Sequence, residues 1–105
     1  MALNPESETN KEIRHDPDNS RYTVQVNQDI AGYAAYEEKD GVRNFNHTVV
    51  EEAYRGQGLS KELIAFALDD TREAGLKIVP TCSAVADFIA KNGEYADLIA
   101  GEDER

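Results

Sequence analysis

Three groups of residues in this chain of 105 could do chemistry. Cys82, the single cysteine, stands just before the helical pattern Ser83–Asn92. A thiol at a helix N-terminus has its pKa drawn below the reference of about 8.5, towards the reactive thiolate. The alternative is a small buried apolar side chain, since free cysteine is often buried. His47 lies in an alternating segment and suits general-base work near neutral pH, or is a hydrogen-bonded core residue. The third group is "RGQGLSK", residues 55–61, with two glycines two apart at the start of a helical pattern.

Glycine weakens a fold through its unfolded-state freedom, so this pair implies backbone geometry that other residues deny. One use of such geometry is to converge helix-start N–H groups on a phosphate. Gln57, Gly58, Leu59 and Ser60 are the expected donors, and Arg55 and Lys61 the added charge. Two common phosphate motifs fail here. A Walker A loop needs Lys after its last glycine, where Leu59 stands. The dinucleotide fingerprint needs a third glycine where Lys61 stands. Glu51 and Glu52 at the loop mouth are either proton-relay or cation-binding carboxylates, or solvated surface charge. His15 is assigned no role.

These groups must be positioned by a sheet and helices. Residues 1–20 are polar, with Pro5 and Pro17, and read as a flexible tail with one docked turn around Ile13. "RYTVQVN" alternates as a strand with Tyr22, Val24 and Val26 on one face. Gln28-Asp29 connects it to "IAGYAAYEE", where Gly32 marks a bulge or a close backbone approach. Asp40-Gly41 is a hairpin signal. "VRNFNHTVV" is a third strand, with Phe45, His47 and Val49 on one face. The helix from Leu59 carries Leu63, Phe66 and Ala67 at helical spacing, widened by Ile64, Leu68 and Thr71, and Gly75 caps its end. "LKIVPTC" is a short buried strand whose pairing weakens near Pro80. A helix over residues 83–92 follows, N-capped by Ser83 and ended by Gly93, then a short helix at "EYADLIA" and a charged tail at 101–105. Short turns make the first three strands antiparallel. A strand–helix–strand unit makes the third and fourth parallel with a right-handed crossover. The class is α+β, in one domain over residues 21–100.

Net charge is −10, and no basic footprint for nucleic acid is apparent. Hydrophobic residues at 40% and charged residues at 30% fit a globular domain. No apolar run is long enough to span a membrane, and "MALNPESETNKEIR" has no signal-peptide core. One cysteine excludes an internal disulfide and a cysteine-based zinc site, and no metal is expected. It also agrees with a reducing, cytoplasmic location.

The register Arg55, Gly58, Ser60 resembles the acyl-coenzyme A loop of the GNAT acetyltransferases, Arg/Gln-x-x-Gly-x-Gly/Ala, with Ser60 as the small final residue. Further features are similar to the shortest members of that superfamily: His47-Thr48 before the loop, Pro80-x-Cys82 after the next strand, and Glu94-Tyr95 near the end. The resemblance covers residues 47–98. Val50-Glu51 departs from the Val-Pro that often follows the His-Thr-x of such members.

The resemblance implies a GNAT-like fold that binds acetyl-CoA and transfers acetyl to an amine. It implies a diphosphate on the 55–61 loop and a cofactor arm paired with the backbone of Val49 and Val50, where two strands splay. It also implies contacts from Asn92 and Tyr95. Cys82 then falls at the thioester, as acyl-accepting nucleophile or as proton donor to coenzyme A, with His47 as base. The alternatives are a non-catalytic acyl-CoA-binding or protein-interaction module on the same fold, and an unrelated α+β domain whose loop is only a turn.

Overall fold

The computed structural model describes residues 11–56 and 58–100. Residues 1–10, Gln57 and 101–105 lie outside the described residues, and with them the charged end and the first half of the expected N-terminal tail. Five strands form one sheet in sequential order: β1 (Lys11–Asp16), β2 (Arg21–Val26), β3 (Asp29–Lys39), β4 (Val42–Val50) and β5 (Lys77–Val79). Neighbours from β1 to β4 are antiparallel, and β4 and β5 are parallel. Helix α1 (Leu59–Glu73) is the crossover between β4 and β5. Helix α2 (Ser83–Lys91) and a 3-10 segment, Gly93–Leu98, follow. The α+β class and mixed sheet are as the sequence predicts. No helix among the described residues is long and apolar enough to cross a membrane.

The core lies on one face of the sheet. Leu59, Leu63, Ile64, Ala67 and Leu68 of α1 and Val85 and Ile89 of α2 pack in one cluster with Tyr22, Val24, Ala34, Phe45 and Ile78. Phe66 sits at the margin of the α1 stripe and stays 39% exposed. Gly75, with φ of +77°, takes the left-handed position that ends α1.

Four local expectations need correction. Residues 11–16 are not tail but strand β1, which pairs with β2 from Lys11↔Val26 to Asp16↔Arg21. Only Ile13 and His15 alternate inward there, too few to show a period. In β4 the register shifts between Tyr36↔Phe45 and Ala35↔His47, leaving Asn46 unpaired as a bulge. The extra residue flips the later side chains. Thr48 and Val50 therefore share the helix face with Phe45, while His47 and Val49 turn to the opposite face. The β2–β3 turn is centred on Asn27 and Gln28, both at positive φ. The N-cap of α2 is Cys82 rather than Ser83.

Gly32 meets both expectations attached to it. The β2–β3 register shifts beside it, and a Cβ at this position would lie 2.6 Å from the Val49 carbonyl oxygen. That neighbour is backbone in a paired strand and cannot swing away. Gly32→Ala should lower stability by about 2 kcal/mol or more, read as a lower urea midpoint. An unchanged midpoint would show that β3 and β4 separate freely here.

Under the C-terminal half of α1, side chains of β1 to β4 on the helix face form a polar cluster. Arg43, 7% exposed, donates from Nη1 to the Tyr22 hydroxyl at 2.6 Å and from Nε to Glu38 at 2.9 Å. Tyr22 in turn donates to Asp70 Oδ2 at 2.6 Å. His15 stacks on Tyr22 at 4.2 Å, is hydrogen-bonded with the Tyr36 hydroxyl at 2.6 Å, and has Nδ1 3.4 Å from Asp70. Burial, and then the Arg43 charge, hold the His15 pKa below its ordinary value, outweighing Asp70, Glu38 and Asp16.

The unfolded chain therefore protonates first as pH falls. This contribution is complete above about pH 6.5 and is lost on acidification below it. The urea midpoint should be lower at about pH 5 than at about pH 7, and His15→Gln should flatten the difference. A wild-type midpoint constant over that range would contradict the assignment.

Candidate functional site

The site begins where β4 and β5 part. Their ladder runs Val42↔Lys77, Arg43↔Ile78, Asn44↔Val79 and then stops. Pro80, the next residue, has no N–H to continue it. One further link forms, from the Cys82 N–H to the Phe45 carbonyl at 2.8 Å. Beyond it β4 runs on to Val50 while the other chain turns into α2. The pairing therefore ends at Pro80, as the sequence predicts, while β4 continues past it. Val49 and Val50 pair with Tyr33 and Gly32 on their β3 side. The Val50 carbonyl also accepts from Arg55 Nε at 3.2 Å, so it already has a partner.

The loop carries Gly56 at φ +85° and Gly58 at φ +75°. No neighbour lies within 4 Å of a Cβ built at either, so the backbone conformation, not crowding, selects glycine. Gly58 is the N-cap of α1 and brings no side-chain cap. The first α1 bond among the described residues runs from the Glu62 N–H to the Gly58 carbonyl. The amides of Leu59, Ser60 and Lys61 precede it and have no acceptor within the helix. About half a positive charge gathers at such an end. Gln57 lies outside the described residues.

A cavity of 240 Å³ opens at this turn, lined by Thr48, Val50, Arg55, Gly56, Gly58, Leu59, Ser60 and their neighbours. A second groove, of 450 Å³, runs between α1 and α2 past Lys61, Ile64, Asp87, Phe88, Lys91 and Asn92. Ser60 and Ala84 line both, so the two are continuous. Among the described residues, Arg55, Lys61 and Lys91 have no ion-pair partner, and Asp87 is the only carboxylate on the lining. In a chain of net charge −10 this groove is locally basic.

Cys82 stands at the sheet end of the loop cavity. Its thiol lies 3.5 Å from the Thr48 hydroxyl, and Thr48 lines that cavity. Burial raises the thiol pKa, but the Thr48 hydroxyl and the N–H groups of Ala84, Val85 and Thr48 together lower it below the ordinary value. Reasoning from sequence passed over Thr48. It comes into view only once the bulge at Asn46 is known, because alternation alone turns it from the face that carries Phe45.

The other expected site residues divide. Asn92 lines the groove and donates from Nδ2 to the Phe88 carbonyl at 2.8 Å. Lys61 lines the same groove rather than the loop cavity. Tyr95 is buried, donates to Asp69 at 2.9 Å, packs on Phe88 and lines neither cavity. His47 is exposed on the opposite sheet face beside Tyr33, 5.9 Å between ring centres, and is not brought together with Cys82. Glu51 and Glu52 are exposed at the loop mouth.

A mixed sheet whose β4–β5 ladder ends beside a glycine turn and a helix N-terminus is the arrangement that this chain shares with its relatives. The chain belongs to the GCN5-related N-acetyltransferase family, which it matches over residues 21–98. It is 33% identical to human Protein NATD1 over 82 residues, covering 76% of this chain and 73% of the relative. To the chicken Protein NATD1 it is 32% identical over 83 residues, covering 77% and 76%. Among solved structures it is similar to a GCN5-like protein of Staphylococcus aureus, with a TM-score of 0.66, 25% identity and coverage of 90% and 92%. A ribosomal-protein-alanine N-acetyltransferase of Brucella melitensis shares the fold, with a TM-score of 0.52, 19% identity and coverage of 79% and 64%.

Thr48→Val should move the pH midpoint of Cys82 alkylation by iodoacetamide upward, because the thiolate loses a hydroxyl donor. Thr48→Ser should keep it near the wild-type value. Identical profiles for all three proteins would separate Thr48 from the thiol.

Proposed function

We propose that the protein is an acetyl-CoA-dependent N-acetyltransferase that moves an acetyl group to an amine. The observation that supports this most is the continuity of three parts: the glycine turn with helix-start amides that have no acceptor within the helix, the cavity at that turn, and the Cys82–Thr48 pair at its sheet end. A donor with its diphosphate on the turn would direct its thioester arm along the unpaired edge of β4 towards Cys82. Family membership supports the acyl donor class.

The chemistry then follows from the groups in place. A neutral amine attacks the acetyl carbonyl, the carbon–sulfur bond breaks, and the coenzyme thiolate leaves with a proton. Cys82 has two roles open to it at this point. It donates that proton, or its thiolate first takes the acetyl group in thioester exchange and passes it to the amine. An acetyl adduct on the Cys82 peptide, formed without amine, distinguishes exchange from proton donation. His47 lies on the far sheet face and belongs, in this reading, to the acceptor side of the splay, where it can take the amine proton. The acidic surface favours cationic acceptors. A site thiol that must stay reduced fits the cytoplasm.

A second reading has one observation in its favour. Both helices pack on one sheet face, and among the described residues neither covers the His47 face. A bare acceptor side suits a module that binds acyl-CoA without turning it over. Calorimetry with acetyl-CoA followed by thiol-release assays over an amine panel tests both. Binding with release, cut about 100-fold by Cys82→Ala, supports the transferase. Binding without release across the panel supports the module. No heat and no melting shift at millimolar acetyl-CoA would end both.

A further inference from the structure

We propose that two copies of this chain pair along the open edge of β1. The strands run antiparallel across a two-fold axis, with Ile13 opposite the partner's Ile13 and Glu12 opposite the partner's Arg14. The two sheets then continue into one. The interface lies on the opposite side of the sheet from β5 and Cys82.

The sheet has two edges, and the chain treats them differently. At β5 the edge is closed from within: Ile78 bridges in parallel to Ile99, and the Ala100 N–H donates to the Ile78 carbonyl at 2.8 Å. At β1 every residue from Lys11 to Asp16 pairs with β2, and among the described residues no strand lies on the outer side. Such an edge is a template for a further strand, which proteins usually blunt with proline, a bulge or charge. β1 contains no proline and no bulge. It is charged, but its charges alternate in sign along one face: Glu12, Arg14, Asp16.

That alternation selects the register. Lys11 and His15 reach Glu62 and Asp70 of α1, so they and Ile13 point to the helix face, and Glu12, Arg14 and Asp16 point to the bare face. Residues directly opposite in an antiparallel pair share a face, which leaves few registers. Centring on Arg14 sets it against the partner's Arg14, and Glu12 against the partner's Asp16. Centring on Glu12 sets it against the partner's Glu12. Centring on His15 leaves only Arg14–Asp16 of each strand to pair. Centring on Ile13 sets Glu12 opposite the partner's Arg14, and Arg14 opposite the partner's Glu12. Glu12 and Arg14 of one strand already lie 2.9 Å apart, so these groups close a ring of alternating charge. On the helix face Lys11, held by Glu62 at 3.0 Å, stands opposite the partner's His15. Burial and then the Arg43 charge hold the His15 pKa below its ordinary value, so no like charge opposes Lys11 near neutral pH. Phe66 supplies the cover. It lies one turn of α1 from both Glu62 and Asp70, which places it over the middle of β1, and it is 39% exposed. A strand added at Ile13 lies beneath that ring and buries it.

The test is sedimentation equilibrium of the full chain from about 1 μM to about 1 mM. Wild type should pass from the mass of one chain, 11.7 kDa, towards twice that mass. Glu12→Arg and Arg14→Glu, each alone, set like charges opposite one another and should raise the dissociation constant at least about tenfold. Both side chains are exposed, so the variants should melt as wild type does. An equimolar mixture of the two variants should regain the dimer, because a cationic strand then faces an anionic one. The double variant Glu12→Arg/Arg14→Glu should regain it by itself. A wild type that keeps the mass of one chain at about 1 mM overturns the inference. So does a dimer that withstands both single variants, or a mixture that stays monomeric.

Discussion

The hydrogen bond from the Cys82 N–H to the Phe45 carbonyl, at 2.8 Å, is the constraint on which the site depends. It is the last link between β4 and the chain leaving β5, and it is made across the gap that Pro80 opens. Without it the two strands would separate earlier and α2 would have no fixed origin. With it, Cys82 is pinned as the N-cap of α2, and its side chain is directed to Thr48. The same bond lets the ladder end cleanly, so that β4 keeps an edge free beyond it. One backbone contact thus sets the thiol and the opening together.

The two ends of α1 divide the work between stability and function. Under the C-terminal half of α1 the polar groups are joined to one another: Arg43 to Tyr22 and Glu38, Tyr22 to Asp70, and His15 to Tyr36. Burying a guanidinium is strongly unfavourable unless its donors are met, and here Nε and Nη1 are bonded to Glu38, Tyr22 and Thr71. At the other end of α1, among the described residues, the helix-start amides have no acceptor within the helix and Lys61 and Lys91 have no ion pair. A fold with so small a core cannot leave both ends unsatisfied, because the margin of native stability is only about 5–15 kcal/mol. The closed network steadies the strands and α1, whose other end stays open for a ligand.

Much of this was legible in the residues. Alternation and turn chemistry located β2, β3, β4 and the hairpin at Asp40-Gly41. The breadth of the apolar stripe from Leu59 to Thr71 gave α1, and Pro80 gave the end of β5. The glycine turn was legible because a left-handed backbone has few sequence spellings. What escaped was set by contacts distant in sequence. β1 has two inward residues, and its identity comes from pairing with β2. The bulge at Asn46 has no signature in "VRNFNHTVV", yet it decides that Thr48 faces the cavity and His47 does not. Tyr95 sits in a polar-looking segment, but its ring is buried on Phe88 and its hydroxyl is held by Asp69.

The misread face of β4 changes the chemistry as well as the geometry. Had the strand alternated without interruption, His47 would stand with Phe45 on the helix face, and base and thiol would share one side of the sheet. The extra residue instead puts Cys82 and Thr48 on one side of the splay and His47 with Tyr33 on the other. In the proposed transferase, an amine and a thioester bound on opposite faces would meet only at the gap between β4 and β5. The proton from the amine and the proton for the departing thiolate then belong to different groups. A single residue inserted opposite Ala35 and Tyr36 is what makes such a division of acid and base geometrically available to so short a chain.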